Sequence, residues 1–166
     1  MKNTLNYAFF TFFFVFGVNT VLAQDYSAEA KVFFSKFLST RSYFDLCKKS
    51  LPDLKDCKMV LKAEHAYTMF GAMGDIKNAL DSEMVNKENE VFEDVKIEVF
   101  STQDIELGKG NYAGGMKEVF EKLQPYVLFY KVTYLRKKGD DAGLAFKYWA
   151  YIHGRWVFFP AIHRFR

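Results

Sequence analysis

YVLFYKVTYL (126–135), RKKGDDAG (136–143), LAFKYWAYI (144–152), HG (153–154) and RWVFFP (155–160) follow one another near the end of the chain. Two runs rich in aromatic and β-branched residues flank a polar turn containing glycine. A second turn, His153-Gly154, leads into a third run. This is the pattern of a three-stranded antiparallel meander. In the first strand Tyr126, Leu128, Tyr130, Val132 and Tyr134 fall on one face, with Val127, Phe129, Lys131, Thr133 and Leu135 on the other. In the second, strict alternation places Leu144, Phe146, Tyr148, Ala150 and Ile152 opposite Ala145, Lys147, Trp149 and Tyr151. Both faces are substantially apolar. One is expected to carry the helices. The other is left for the glycine-rich loop, the tail or a binding surface.

Working back from the meander, Val95 to Gln103 alternates as a half-buried strand, with Val95, Ile97, Val99 and Ser101 on one side. A glycine-rich run, 108–115, leads to a short helix marked by Met116, Val119, Phe120 and Leu123 and stopped by Pro125. Upstream the pattern is helical. Ala30, Phe33, Phe34, Phe37 and Leu38 share one face of a first helix, which Asp25 or Ser27 can cap and Ser39 to Ser42 ends. Tyr43 to Lys49 reads as a connector. A second helix is expected from Leu51 to about Phe70, with Ser50 as cap, Asp53 at the capping-box position, and Leu54, Cys57, Val60, Leu61, Ala63, Tyr67 and Phe70 as its stripe. Gly71 to Gly74 breaks it. A third helix, capped by Asp75, runs to about Lys87. The fold class is therefore α+β, with N-terminal helices packed on a curved antiparallel sheet that ends in the meander. A length of 166 residues suits one domain, expected over 24–166.

Residues 1–23 are set apart from that domain. Met1-Lys2 is a minimal basic start, Phe9 to Val18 an apolar core, and Val21-Leu22-Ala23 a cleavage site, the pattern of a secretory signal peptide. The apolar run is shorter than the ~20 residues of a spanning helix, so no stable membrane span is expected after cleavage. The mature chain, 24–166, would be exported to the periplasm or the medium. Loss of Lys2 takes the formal charge from +3 to +2 (3 − 1), and no basic stripe argues for nucleic acid. Half of the residues are apolar, with 19 Phe and 10 Tyr, so a packed core is expected. In an exported chain the two cysteines, Cys47 and Cys57, suggest one disulfide. Their spacing is not that of a redox motif, and no His or Cys cluster joins them as a metal site.

Helices first, then a strand, then a long-stranded meander closing in Tyr148-Trp149-Ala150-Tyr151-Ile152, His153-Gly154 and Trp156-Val157-Phe158-Phe159-Pro160: this order and closing hairpin resemble the NTF2-like (cystatin-like, cone-shaped α+β) superfamily. The resemblance covers most of residues 24–166 by element order and the last twenty or so by motif. It implies a pocket between sheet and helices. Some members are isomerases or dehydratases with a buried Asp or His as base, and many are binding or assembly domains. Fold alone assigns neither.

Chemistry-bearing residues are sparse. His65 lies on a helix beside Leu61 and Met69, with Glu64 pointing about 100° away. His153 occupies a tight turn and His163 a basic tail. Asp104 and Glu106 follow a strand end. The run before Met116 lacks the ending of a P-loop. No catalytic residue, cofactor or metal is expected. Tyr130, Tyr134, Tyr148, Trp149, Tyr151 and Trp156, rings mostly with polar handles, form the candidate binding set, with His65 beside them. Two classes of function follow. The first is a non-enzymatic exported domain that binds a small apolar ligand or an envelope protein through its sheet face or pocket, or that pairs with a second copy. The alternative is an isomerase or hydratase with His65 or a loop acid as general base.

Overall fold

The computed structural model describes residues 24–86 and 88–162. The expected signal peptide and the tail containing His163 lie outside them. Among the described residues no helix is long and apolar enough to cross a membrane. Helices α1 (Ser27–Phe34), α2 (Thr40–Lys49), α3 (Leu54–Val60), α4 (Ala63–Gly71) and α5 (Met73–Asn86) precede β1 (Asp94–Ser101). Then come α6 (Thr102–Glu106), α7 (Met116–Val119), a 3-10 turn (Phe120–Lys122), β2 (Leu128–Leu135), β3 (Leu144–Ile152) and β4 (Arg155–Phe158). The four strands form one antiparallel sheet in the order β1-β2-β3-β4. The α+β class and the meander are as the sequence predicts.

The helical half is cut differently from the sequence reading. Ser39 does not end a helix. It starts α2, trading hydrogen bonds with Ser42 in a capping box, and the expected connector becomes ten residues of helix. The long helix expected from Leu51 to Phe70 is two. Asp53, not Ser50, is its cap, paired with Asp56. At Leu61 the backbone turns extended because the chain near Leu123 claims its hydrogen bonds. Lys62 N–H donates to Lys122 O, and Gln124 N–H donates to Val60 O, each at 2.8 Å. The break rotates α4, so that Ala66 and Met69 are buried while the expected stripe residues Tyr67 and Phe70 are 56% and 44% exposed.

Both faces of the sheet are covered. Val95, Tyr130, Val132, Tyr134, Trp149, Trp156 and Phe158 meet Ala30 and Phe34 of α1, Tyr43, Phe44, Leu46 and Cys47 of α2, and Leu80 of α5. On the other face Phe100, Phe129, Tyr148, Ala150, Ile152 and Val157 meet residues of α3, α4, α6 and α7, together with Phe159 and Ile162. Tyr112 and Ala113 of the glycine-rich run pack on this second cluster.

One irregularity decides which β3 residue meets which cluster. Tyr130 pairs with Trp149, but Val132 pairs with Phe146. Lys147 and Tyr148 therefore both stand opposite Lys131, a β-bulge. Tyr148 takes φ +72°, a left-handed conformation rare for a bulky residue. Strict alternation fails here. Phe146 and Trp149 share the aromatic side, and Tyr148, Ala150 and Ile152 cross to the other. The sequence-predicted partition of β3 is corrected at this residue.

Two turns are held by glycine. His153 (φ 51°) and Gly154 (φ 77°) both adopt left-handed backbone, as a two-residue type I′ hairpin requires. A Cβ on Gly143 would lie 2.1 Å from the Tyr134 carbonyl oxygen, so only glycine lets the chain enter β3 there.

The expected Cys47–Cys57 bridge is absent. Both are free thiols. Cys47 sits in the aromatic cluster and Cys57 in the other. Burial pushes the Cys57 thiol up to about 12 and that of Cys47 well above its usual value.

Candidate functional site

The candidate aromatic set divides into sealed and open members. Trp149 and Tyr134 are fully buried. The indole N–H of Trp149 donates to the Tyr43 hydroxyl at 3.2 Å, and the Tyr134 hydroxyl donates to Phe34 O at 3.3 Å. Tyr148 is buried on the other face, and its hydroxyl accepts from Ala113 N–H at 3.2 Å. Their polar handles are tied off inside the protein, so these three form core. Tyr130 is intermediate in role. Its hydroxyl accepts from Tyr26 N–H at 2.9 Å, which pins the entry to α1 against the sheet.

Tyr151 and Trp156 lie at the margin. Here α1 crosses the β3–β4 hairpin and leaves a groove of about 810 Å³. Its apolar lining comes from Tyr26, Ala28, Val32 and Phe33 on the helix side and from Tyr151 and Trp156 on the hairpin. Tyr26 and Tyr151 meet as a tilted pair, with ring centroids 4.4 Å apart and planes at 44°. Behind that pair a second groove, about 500 Å³, runs between Met59, the segment 125–128, Ala150 and Ile152, and shares both rings with the first. Tyr151 is 37% exposed and Val32 66%, so two lips of the first groove are apolar and open to water.

The rim of the first groove is charged. Lys36 follows α1, Lys49 ends α2, Arg155 begins β4 and Glu29 lies in the first turn of α1. Arg155 is held from behind. Its guanidinium donates to Asp56 Oδ2 in a short contact. Asp56 is 1% exposed. The same oxygen accepts Asp53 N–H at 3.0 Å, and Oδ1 lies 3.4 Å from His153 Nδ1. The buried carboxylate is thus paired and hydrogen-bonded on both oxygens, as a buried charge must be. It clamps the tip of the hairpin to the start of α3 and fixes one wall of the groove. Asp53, the reciprocal cap, is held below its usual range by the Asp56 N–H. His153 occupies the tight turn expected from sequence, keeps a side chain 54% exposed, and joins this clamp through Nδ1.

The candidate bases stand elsewhere. His65 lines neither groove. Its Nε2 is 3.5 Å from Glu64 Oε1, which corrects the expectation that these neighbours point apart. The side chains bend toward each other over a surface where Glu64 is 68% exposed. Asp104 caps α6. Its carboxylate accepts Ser101 N–H and the Ser101 hydroxyl, each at 2.7 Å, and the Ser101 N–H above all holds it below the usual carboxylate range. Such a group is a poor proton acceptor at neutral pH.

The site residues missed by sequence reasoning include Tyr26 and Val32 in the apolar lining and Lys36, Lys49, Asp56 and Arg155 around it. The pair Asp53-x-x-Asp56 carried a capping signal. Nothing local in the sequence linked it to Arg155, 99 residues on. Comparison with family models, with curated proteins and with solved structures gives no match.

Proposed function

We propose that the chain is an exported, non-enzymatic domain of NTF2-like form that binds a small apolar ligand in the groove between α1 and the β3–β4 hairpin. The observation that carries this reading is the groove itself. Its volume is that of a small-molecule site, its floor is aromatic, and its hairpin wall is held by the Asp56 clamp rather than by the ligand. Export rests on the sequence of residues 1–23, and the NTF2-like form on element order. The alternative, an isomerase or hydratase, needs a base beside the bound substrate. His65 and Asp104 both lie away from the groove, and the acid on its rim, Glu29, has no histidine or second acid beside it in the lining, which weighs for binding over catalysis.

The test is titration with N-phenylnaphthylamine, an apolar fluorescent probe. Saturable binding is expected. Val32→Glu places a charge on the lip and should weaken it at least about tenfold. Val85→Glu, at a position on α5 that is 81% exposed, should leave it unchanged. Equal binding by both variants would remove the groove from consideration. A doubled mass in solution would turn the reading toward pairing with a second copy, and capture of an envelope protein sensitive to Val32→Glu toward a protein ligand.

A further inference from the structure

We propose, resting on that reading of the groove, that its ligand is an amphipathic monoanion of the acyl-carboxylate kind, with its chain on the aromatic floor and its carboxylate between Lys36 and Lys49. The argument is one of charge. Several cations around the sheet are already satisfied. Lys31 pairs with Asp94, Lys48 with Asp45 and Asp81, Lys131 with Glu98, and Arg155 with Asp56. Lys36 and Lys49 both line the groove, and among the described residues neither has an ion-pair partner. Two unpaired ammonium groups against one carboxylate, Glu29, leave this apolar groove with a net positive rim once Arg155 is counted with Asp56. A single anionic head would complement both.

The remaining charge on the rim orients the ligand. Glu29 lies in the first turn of α1 and Lys36 just beyond its last residue, so the two charges stand at opposite ends of the helix. An anion at the Glu29 end would be repelled. One at the Lys36 end would be attracted, so the head is directed away from the start of α1. Between these ends lie Val32 and Phe33 on the helix and Tyr151 and Trp156 across from them, an apolar track for a chain. The Asp56 clamp neutralises Arg155 and keeps it from competing for the head. Lysines, point charges on flexible stems, do not demand the planar fit of an arginine fork.

The experiment compares dodecanoate and dodecyltrimethylammonium, each below its micelle concentration, with dodecanol below its solubility limit, by calorimetry on the protein as expressed. Dodecanoate should bind about tenfold or more tightly than dodecanol, with an advantage that falls as salt rises, and the ammonium should bind weakest. The Lys36→Gln/Lys49→Gln double variant should bring dodecanoate down to the level of dodecanol and leave dodecanol unchanged. Its circular dichroism and Tm report whether it is folded. Equal binding of dodecanoate and dodecanol, both lost in Val32→Glu, would overturn the anion assignment while the groove stands. No binding of any of the three, with no binding of the naphthylamine probe, would overturn the groove reading as well.

Discussion

The two faces of the sheet bury similar apolar runs in different ways. The face under α1, α2 and α5 is built from rings. Phe34, Tyr43, Tyr130, Tyr134, Phe146, Trp149, Trp156 and Phe158 meet in edge-on, tilted and stacked pairs, such as Phe34 against Trp149 at 4.8 Å and Tyr130 against Trp156 at 4.9 Å. The face under α3, α4, α6 and α7 is mostly aliphatic and sulfur-bearing, with Val60, Leu61, Met69, Ile105, Met116, Val119 and Leu123 around a few rings. Aromatic side chains are long and carry polar tips that need partners when buried. On the first face those tips find Phe34 O, Tyr43 and Tyr26 N–H, and the large groove opens where the rings run out at the hairpin edge. The lesson is that the polar handles of an aromatic cluster do not mark the binding surface. Most are spent on holding the core, and recognition falls to the few rings left at the margin.

The sharpest way to break this comparison is to move side chains from one face to the other. Thr133 lies in β2, between β1 and β3, paired with Lys96 on one side and Ala145 on the other. Deleting it shifts one part of β2 by a residue and sends Tyr134, or Tyr130 and Val132, through the sheet. The expected result is loss of cooperative unfolding in a urea titration. Deleting Lys147 should do the opposite of what a strand deletion normally does. Phe146 would precede Tyr148 directly, Tyr148 would face Lys131, and Trp149 would stay opposite Tyr130. The partition between faces is kept, and Tyr148 leaves its left-handed backbone, a conformation that costs about 1–3 kcal/mol. The protein should fold, with a stability loss below about 2 kcal/mol. If the Lys147 deletion unfolds the chain as the Thr133 deletion does, the bulge is not what sorts the two faces.

That bulge also marks the limit of what the sequence discloses. The hairpin at His153-Gly154 was legible because its turn demands two left-handed residues and Gly supplies one cheaply. The bulge at Tyr148 carries no such signal, since a tyrosine there gives no hint of positive φ, and strict alternation put Phe146 and Trp149 on opposite faces when they share one. The helix break at Leu61 is set by pairing with Leu123, and no local pattern encodes it. Ser39-x-x-Ser42 was misread because two hydroxyls make a weaker-looking start signal than a serine followed by a glutamate. In the site, Tyr151 and Trp156 could be named from sequence as rings of a meander. Lys36 and Lys49 could not, because they come to one groove only where the ends of two helices border the hairpin.

A second test uses the phenols, which are unequally shared between the faces. Burial raises Tyr130 to about 12 and drives Tyr43 and Tyr134 well above their usual value, all on the ring-rich face. Tyr148, on the other, is also raised by burial. A folded-state value above that of the unfolded chain means the fold favours the protonated phenol. Each contribution is complete below about pH 10 and is lost as pH climbs toward and past 12. Alkaline unfolding is therefore expected in that window, with the last phenolate absorbance appearing together with loss of the near-ultraviolet circular dichroism of the tryptophans. Tyr134→Phe should cost about 1 kcal/mol at neutral pH through its lost hydrogen bond and move the alkaline midpoint upward. An unmoved midpoint would show that the phenols of this face do not govern the transition.

The smallest effect gives the cleanest contrast, because one cysteine lies on each side. If Cys47 and Cys57 are free, as in the structure, each →Ala change removes one small buried side chain from its own cluster. Each should cost about 1 kcal/mol, and the double variant should cost the sum, since the residues share no cluster. A disulfide would behave otherwise. Either single change would already open the bridge and forfeit its full stabilisation, about 2–3 kcal/mol for so short a loop, and the second change would add little. Additivity in urea unfolding, with two thiols titratable only after denaturation, is the expected outcome. A double variant no less stable than either single one would mean that the two clusters are tied together by a covalent link, and that the chain's two cores unfold as one because of it.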